Sequence, residues 1–232
     1  VVVAGVGRKP GMTRMDLLNT NAGIIKNVAS KIASYTNDAT VIVVTNPLDP
    51  MTYLTLKTLG AKKNRVMGMG GMLDLSRFKS FIRDTINISR SSIQGMVISE
   101  HGENMLPLTR FSSIGGIPLH ELISKDKTTE IFEKTRKVAA EVIALKGATV
   151  YAPGNAVATM LESVIHDKKL VIPVSTLLEG EYGFNDLCIG VPAVVGASGV
   201  ERIIELKLDS FEQEIFSKGI ASVKEAIKAL PL

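Results

Sequence analysis

Two short runs built almost wholly of apolar, mostly β-branched residues constrain this chain most: Val1-Val2-Val3-Ala4-Gly5 and Thr40-Val41-Ile42-Val43-Val44. A strand that is apolar at every position reads as buried on both faces, which is the pattern of a parallel sheet with helices packed above and below it. Between the two runs, Leu18, Ala22, Ile25, Val28 and Ile32 recur at helical spacing and fall on one face. Thr13 and Asp16 have the spacing of a capping box at the start of that helix, with Asp in place of the usual Glu. A second helix is predicted after Thr45-Asn46-Pro47 and runs to about Gly60, which is placed as a C-cap. A short strand over Arg65-Val66-Met67-Gly68 follows. Strand, helix, strand, helix, strand is the rhythm of a parallel sheet with right-handed crossovers. The chain opens without Met on a strand that looks interior, so it is expected to be a fragment whose neighbouring strands are missing.

Past the glycines at 68, 70 and 71 the rhythm changes. A helix is predicted from Asp74 to about Asp84, a strand near Gly95–Ser99, and longer helices near 127–146 and 154–166. Leu187–Val195 and Glu201–Leu208 read as strands of an antiparallel hairpin joined by Gly196-Ala197-Ser198-Gly199, and an amphipathic helix closes the chain from Ser210 to Leu230. The fold class is therefore α/β: residues 1–69 carry a parallel sheet and residues 70–232 an α+β unit.

Composition excludes several classes. No apolar run is long enough to span a bilayer, so no membrane helix is expected. The single cysteine, Cys188, cannot form an internal disulfide, and no His/Cys cluster suggests a metal, which fits a reducing, cytoplasmic setting. The net charge of +4 is dispersed and the chain has no Trp and four Tyr, so the basic stripe and stacking rings of a nucleic-acid binder are not there.

Chemistry is expected where strands end, because ligands of open parallel sheets sit beyond the carboxyl edge. Two segments lie there. One is the loop Arg8-Lys9-Pro10-Gly11-Met12-Thr13-Arg14, whose guanidinium groups suit a carboxylate but also suit a plain solvated loop. The other is Thr45-Asn46-Pro47. Asp74 and Arg77 are three apart on one predicted helix and share a face; taken alone, that spacing is better accounted for by a simple intrahelical ion pair. Of the three histidines, His120 and His166 need no special account, whereas His101 follows the strand Met96-Val97-Ile98-Ser99 and precedes Gly102. An acid/base role for His101 requires a partner carboxylate, and Asp74 is the candidate. No G-x-x-x-x-G-K-[ST] or G-x-G-x-x-G motif occurs.

Taken together, Arg8 to Arg14, Asn21-Ala22-Gly23, Val44-Thr45-Asn46-Pro47, Leu73-Asp74-Leu75-Ser76-Arg77 and Glu100-His101-Gly102 stand in the order that resembles the lactate/malate dehydrogenase family, and within it the archaeal-type malate dehydrogenases. Lys146-Gly147-Ala148-Thr149, Gly180-Glu181-Tyr182-Gly183 and Gly190-Val191-Pro192 agree, so the likeness covers essentially the whole chain. The resemblance implies a Rossmann-type doubly wound sheet in residues 1–69, lacking its first βαβ unit, and a substrate-binding, catalytic α+β domain in residues 70–232. It implies His101 as general acid/base, Asp74 as its orienting partner, and Arg77 as a clamp on the substrate C1 carboxylate. Arg14 would polarise the carbonyl, Arg8 would grip a second carboxylate, and Thr149 would form a pocket wall. Asn46 would touch substrate and nicotinamide ribose, while Asn21, Val44, Thr45, Ala4 and Gly5 would line the cofactor, NAD or NADP. The implied partner is a small dicarboxylate, malate or oxaloacetate, and the implied assembly a homodimer or homotetramer.

The chain departs from the family pattern at Glu103 for Asp, Leu75 for Ser or Thr, and Pro50 for an aliphatic residue; none removes a group with a direct chemical role. Two alternatives stay open at this point: a lactate or broad 2-hydroxyacid dehydrogenase, and a non-catalytic anion-binding or oligomerisation module.

Overall fold

The computed structural model describes residues 1–7, 12–36, 38–146 and 149–232. Among them the order is α1 (Arg14–Tyr35), β1 (Val41–Val43), α2 (Leu48–Leu59), β2 (Val66–Gly68), α3 (Gly70–Ile86), β3 (Ile93–Gln94), β4 (Val97–Ser99), β5 (Met105–Pro107), β6 (Ser113–Ile114) and β7 (Ile117–Pro118). There follow α4 (Leu119–Leu122), α5 (Lys125–Lys146), α6 (Tyr151–Ile165), β8 (Leu170–Glu179), β9 (Asn185–Gly196), β10 (Gly199–Ile203) and α7 (Ser210–Lys228). No helix among the described residues is long and apolar enough to cross a membrane.

The local signals act as expected. Thr13 and Asp16 close a reciprocal capping box on α1, and Gly60 ends α2 in the left-handed region at φ 59°. β1 and β2 pair in parallel, Val41 with Val66 through Val43 with Gly68. Alternate residues of β1 enter two cores. Val41 and Val43 pack with Ile25, Ala29 and Leu54 of α1 and α2, while Ile42 packs with Met67, Ala156 and Met160 on the other face. This is the two-faced burial that an all-apolar strand requires.

The opening run is exposed as expected of a strand whose neighbours are missing. Only Val2 is buried; it forms a parallel bridge to Val43, whereas Val1 and Val3 are 55% and 67% exposed. Among the described residues it pairs only with Val43 of β1, so within them it lies at the edge of the sheet.

The sheet continues as β1-β2-β8-β9-β4-β5, with β10 paired to β9. The hairpin between β9 and β10 is present, but β10 ends at Ile203, short of the expected Leu208. Helix α3 begins four residues ahead of its expected start, at Gly70. The long strand β8, unassigned by the sequence pattern, pairs antiparallel with β9 over most of its length. Pro173 hides it, since proline inside a run argues against a strand. In the ladder Pro173 lies opposite Pro192, so the two residues without an N–H share one rung and the loss is confined to it.

Candidate active site

The end of β4 is a forced turn. Ser99 adopts φ 75°, a left-handed conformation that costs a non-glycine residue ~1–3 kcal/mol. It is held there by pairing on both sides, with Met105 of β5 and Gly190 of β9. The next residues, Glu100-His101-Gly102, leave the sheet and face the first turns of α3. Gly70 allows this approach: a Cβ there would lie 2.7 Å from both Cβ and Cγ of His101.

His101 Nδ1 lies 2.6 Å from Asp74 Oδ2, and Asp74 Oδ1 accepts from Arg77 Nη1 at 3.0 Å. The side chains of Asp74, Arg77 and His101 are only 2%, 10% and 13% exposed, so water does not compete for these contacts. The ring nitrogen tied to the carboxylate is the donor, which leaves Nε2 as the site for proton exchange; among the described residues it has no hydrogen bond. Burial pushes the imidazole toward its neutral form. The charge and hydrogen bond of Asp74 outweigh burial, Asp49 adds to them and Arg77 opposes, and the pKa ends above the ordinary histidine value.

A second anchor comes from α2. Asp49, 2% exposed, accepts the backbone N–H of His101 on Oδ2 at 2.8 Å and the hydroxyl of Ser175 on Oδ1 at 2.6 Å. Burial raises its pKa to about 6, against the lowering effect of those two donors. A third anchor is Glu100, which accepts from Ser222 of α7 at 2.8 Å and from Asn104 at 2.5 Å. The sequence reading quoted Glu100 within its motif without a role and passed over Asp49, Ser175 and Ser222. For Asp49 a signal existed: an acidic residue in the first turn of a helix otherwise buried along its length.

The strand-end residues form a connected group. Asn21 is fully buried, and its amide is spent on main chain: Oδ1 accepts from Val6 N–H at 2.8 Å, and Nδ2 donates to the carbonyls of Val6 at 3.1 Å and Asn46 at 2.6 Å. Thr45 donates to the Ala4 carbonyl at 2.7 Å. Both therefore shape the edge from beneath, while the exposed Asn46 and half-buried Val44 present it. Gly5 completes it, since a Cβ there would lie 2.6 Å from Thr45 Cγ2. Asn46 and His101 share the wall of a cavity of about 230 Å³ that also meets Met15 and Leu18 of α1 and Ser222 and Ala226 of α7. Arg14 is the first residue of α1 and Thr149 lies half-buried ahead of α6. Arg8 and the side chain of Arg14 lie outside the described residues.

Such a site can hand a proton to, or take one from, a group held beside a fixed guanidinium. Comparison with known proteins agrees over the whole length. Residues 1–68 match the lactate/malate dehydrogenase NAD binding domain, and residues 71–230 the lactate/malate dehydrogenase alpha/beta C-terminal domain. A malate dehydrogenase of Symbiobacterium thermophilum is 46% identical over 231 residues, 99% of this chain and 73% of that protein. The structure of the malate dehydrogenase from Aeropyrum pernix superposes with a TM-score of 0.94 at 41% identity, covering 98% of this chain and 74% of that one. A lactate dehydrogenase from Cryptosporidium parvum, complexed with lactic acid and nicotinamide adenine dinucleotide, gives 0.92 at 38% identity over 98% and 74%. On both its halves, in sequence and in fold, the chain belongs to the lactate/malate dehydrogenase family.

Proposed function

We propose that this chain works as a malate-dehydrogenase-like oxidoreductase, interconverting malate and oxaloacetate with NAD. The observation that carries the reading is the buried line Arg77–Asp74–His101. The strand ends fit the ribose-nicotinamide end of a dinucleotide: the backbone at Gly5 is exposed, and Asn46 lines the same cavity as His101. When bound, the nicotinamide supplies the hydride or accepts it.

The residues of the chain do the rest. Arg77 gives one N–H to Asp74 and keeps donors for the carboxylate next to the reacting carbon, so charge and geometry are set together. Protonated His101 gives its Nε2 proton to the carbonyl oxygen of oxaloacetate as the carbon is reduced, and neutral His101 takes the hydroxyl proton of malate in reverse. Asp74 keeps the other ring nitrogen protonated and steadies the imidazolium. Arg14 polarises the carbonyl, Arg8 pairs with the far carboxylate, Asn46 orients substrate against cofactor, and Thr149 closes the pocket wall. Ala4, Gly5, Val44 and Thr45 border the cofactor, and Asn21 holds that border in place. Residues 1–69 serve the cofactor and residues 70–232 the substrate. The working form is a cytoplasmic homodimer or homotetramer, a point that light scattering checks for the assembly.

A lactate-type reading rests on one fact: the lactate dehydrogenase superposes almost as well as the malate dehydrogenase. Arg8 favours the diacid, because a monocarboxylate would leave a desolvated guanidinium unpaired at a cost of ~2–5 kcal/mol. Oxidation of NADH and of NADPH, followed with oxaloacetate and with pyruvate, tests both readings. Turnover with oxaloacetate and NADH that His101→Asn abolishes is expected. Turnover unaffected by His101→Asn, or no binding of NADH, sinks the proposal.

A further inference from the structure

Asp49 poses a problem that the proton-transfer line leaves unsolved. A buried carboxylate is costly, and such groups are normally retained with a cation at hydrogen-bond distance. Among the described residues Asp49 has two neutral donors instead, the His101 N–H and the Ser175 hydroxyl. Its place at the start of α2 eases the cost slightly, since helix N-termini favour negative charge.

The geometry of the sheet gives those two donors a common purpose. Gly68 of β2, Ser175 of β8, Gly190 of β9 and Ser99 of β4 stand in one row, each paired with the next. The row is tightly packed: a Cβ on Gly190 would lie 2.7 Å from the Ser99 carbonyl oxygen. Asp49 grips this row at Ser175 with one oxygen. With the other it grips the chain two residues beyond Ser99, at His101. The loop carrying the imidazole is therefore fastened to the sheet through one carboxylate, on the main-chain side opposite the Asp74 contact.

We propose that Asp49 is a positioning residue for His101, fixing its main chain through Ser175 and placing a second negative charge near the imidazolium. This deepens the oxidoreductase reading and rests on it for the word positioning, but the coupling between the two residues stands on its own geometry. Among the described residues, the charged groups that act on His101 are Asp74 and Arg77 from α3 and Asp49 from α2; Glu100 and Cys188 of β9 neighbour Asp49. Asp74 acts on the ring directly, whereas Asp49 acts through the backbone and through space.

Asp49→Asn separates these effects. The amide oxygen can still accept from His101 N–H, and the amide nitrogen can donate to a reoriented Ser175 hydroxyl, so the contacts persist while the charge goes. The test is an NMR titration of the His101 ring, with the exposed His120 and His166 as internal references, alongside thermal melting and steady-state kinetics on the same chain. The expected result is a fold like the parent's, a His101 midpoint moved to lower pH, and kcat for oxaloacetate reduction lowered about tenfold with KM within about twofold, because small displacements at a reacting group fall on kcat. The alkaline fall of that rate should move to lower pH with the midpoint. Ser175→Ala, which weakens the anionic form of Asp49, should move the midpoint the same way by less, and Ser175→Thr should restore it. If Asp49→Asn does not fold, the Ser175 pair carries the test. An unchanged His101 midpoint in either variant overturns the proposal. Because the titration needs no turnover, failure of the coupling is distinguishable from failure of the oxidoreductase reading, which His101→Asn kinetics address.

Discussion

Asp74→Asn isolates the contact on which the proposed chemistry depends most. Asp74 accepts from two cationic groups at once, His101 at 2.6 Å and Arg77 at 3.0 Å, with a side chain only 2% exposed. An Asn side chain is the same size but has one acceptor oxygen, so its NH₂ must face one of two donors without water to intervene. Removing one member of a buried charged pair costs ~3–5 kcal/mol. For a chain of this length about 1 kcal/mol moves Tm by ~2–4 °C, so a drop of roughly 6–20 °C follows. The sign of the pH dependence is fixed by His101. Its folded pKa is raised, so its stabilisation is fully present below the unfolded value of about 6.5 and fades as pH rises through the folded value. The Tm gap between parent and variant should therefore be wider at about pH 6 than at about pH 9, with a residue left at high pH from Arg77, which stays charged. Kinetically, loss of the orienting acid should lower kcat by ~10²–10⁴ and shift the alkaline fall of oxaloacetate reduction to lower pH. Melts at the two pH values and a kcat–pH profile measure all of this. A gap that does not change with pH, together with an unshifted profile, would refute the assignment of Asp74 as the partner of a charged His101.

Two further substitutions probe the site from other sides. If Arg8 pairs with the far carboxylate as proposed, Arg8→Gln should raise kcat/KM for pyruvate relative to oxaloacetate by about tenfold or more, since losing a charge-assisted contact to the diacid is worth ~1.4 kcal/mol or more; an unchanged ratio in paired assays removes Arg8 from substrate selection. Gly70→Ala sets a methyl group 2.7 Å from His101 Cβ and Cγ, so overpacking of ~1–3 kcal/mol is expected, with a kcat loss larger than the fall in Tm explains; a variant with parental kcat would show that the ring tolerates displacement.

The difference between what could and could not be read from the chain follows sequence distance. Signals whose physics is complete within a few residues were legible: the Thr13–Asp16 box, the Gly60 cap, the two-faced burial of Val41–Val43 and the shared face of Asp74 and Arg77. His101 with Asp74 was legible only as a candidate pair, because 27 residues separate them and nothing local requires that they meet. Val1–Gly5 was legible as a strand whose neighbours are missing: among the described residues it bridges only to Val43, with Val1 and Val3 exposed. Asp49 and Ser175 stood furthest from view. They are 126 residues apart and meet only because β8 enters the sheet beside β2, and β8 was itself hidden by Pro173.

The groups named by short motifs are those that would touch substrate, and their spacing along the chain makes them conspicuous. The groups that hold them come from β8, α2 and α7, each contributing a single polar residue, Ser175, Asp49 or Ser222, that looks incidental in its own segment. The His101 loop joins β4 to β5 after the left-handed turn at Ser99, and three elements touch it directly: Asp74 of α3 and Asp49 of α2 at His101, and Ser222 of α7 at Glu100. A short loop held by three independent long-range contacts keeps one conformation, and that rigidity is what an acid/base group aimed at a single atom requires.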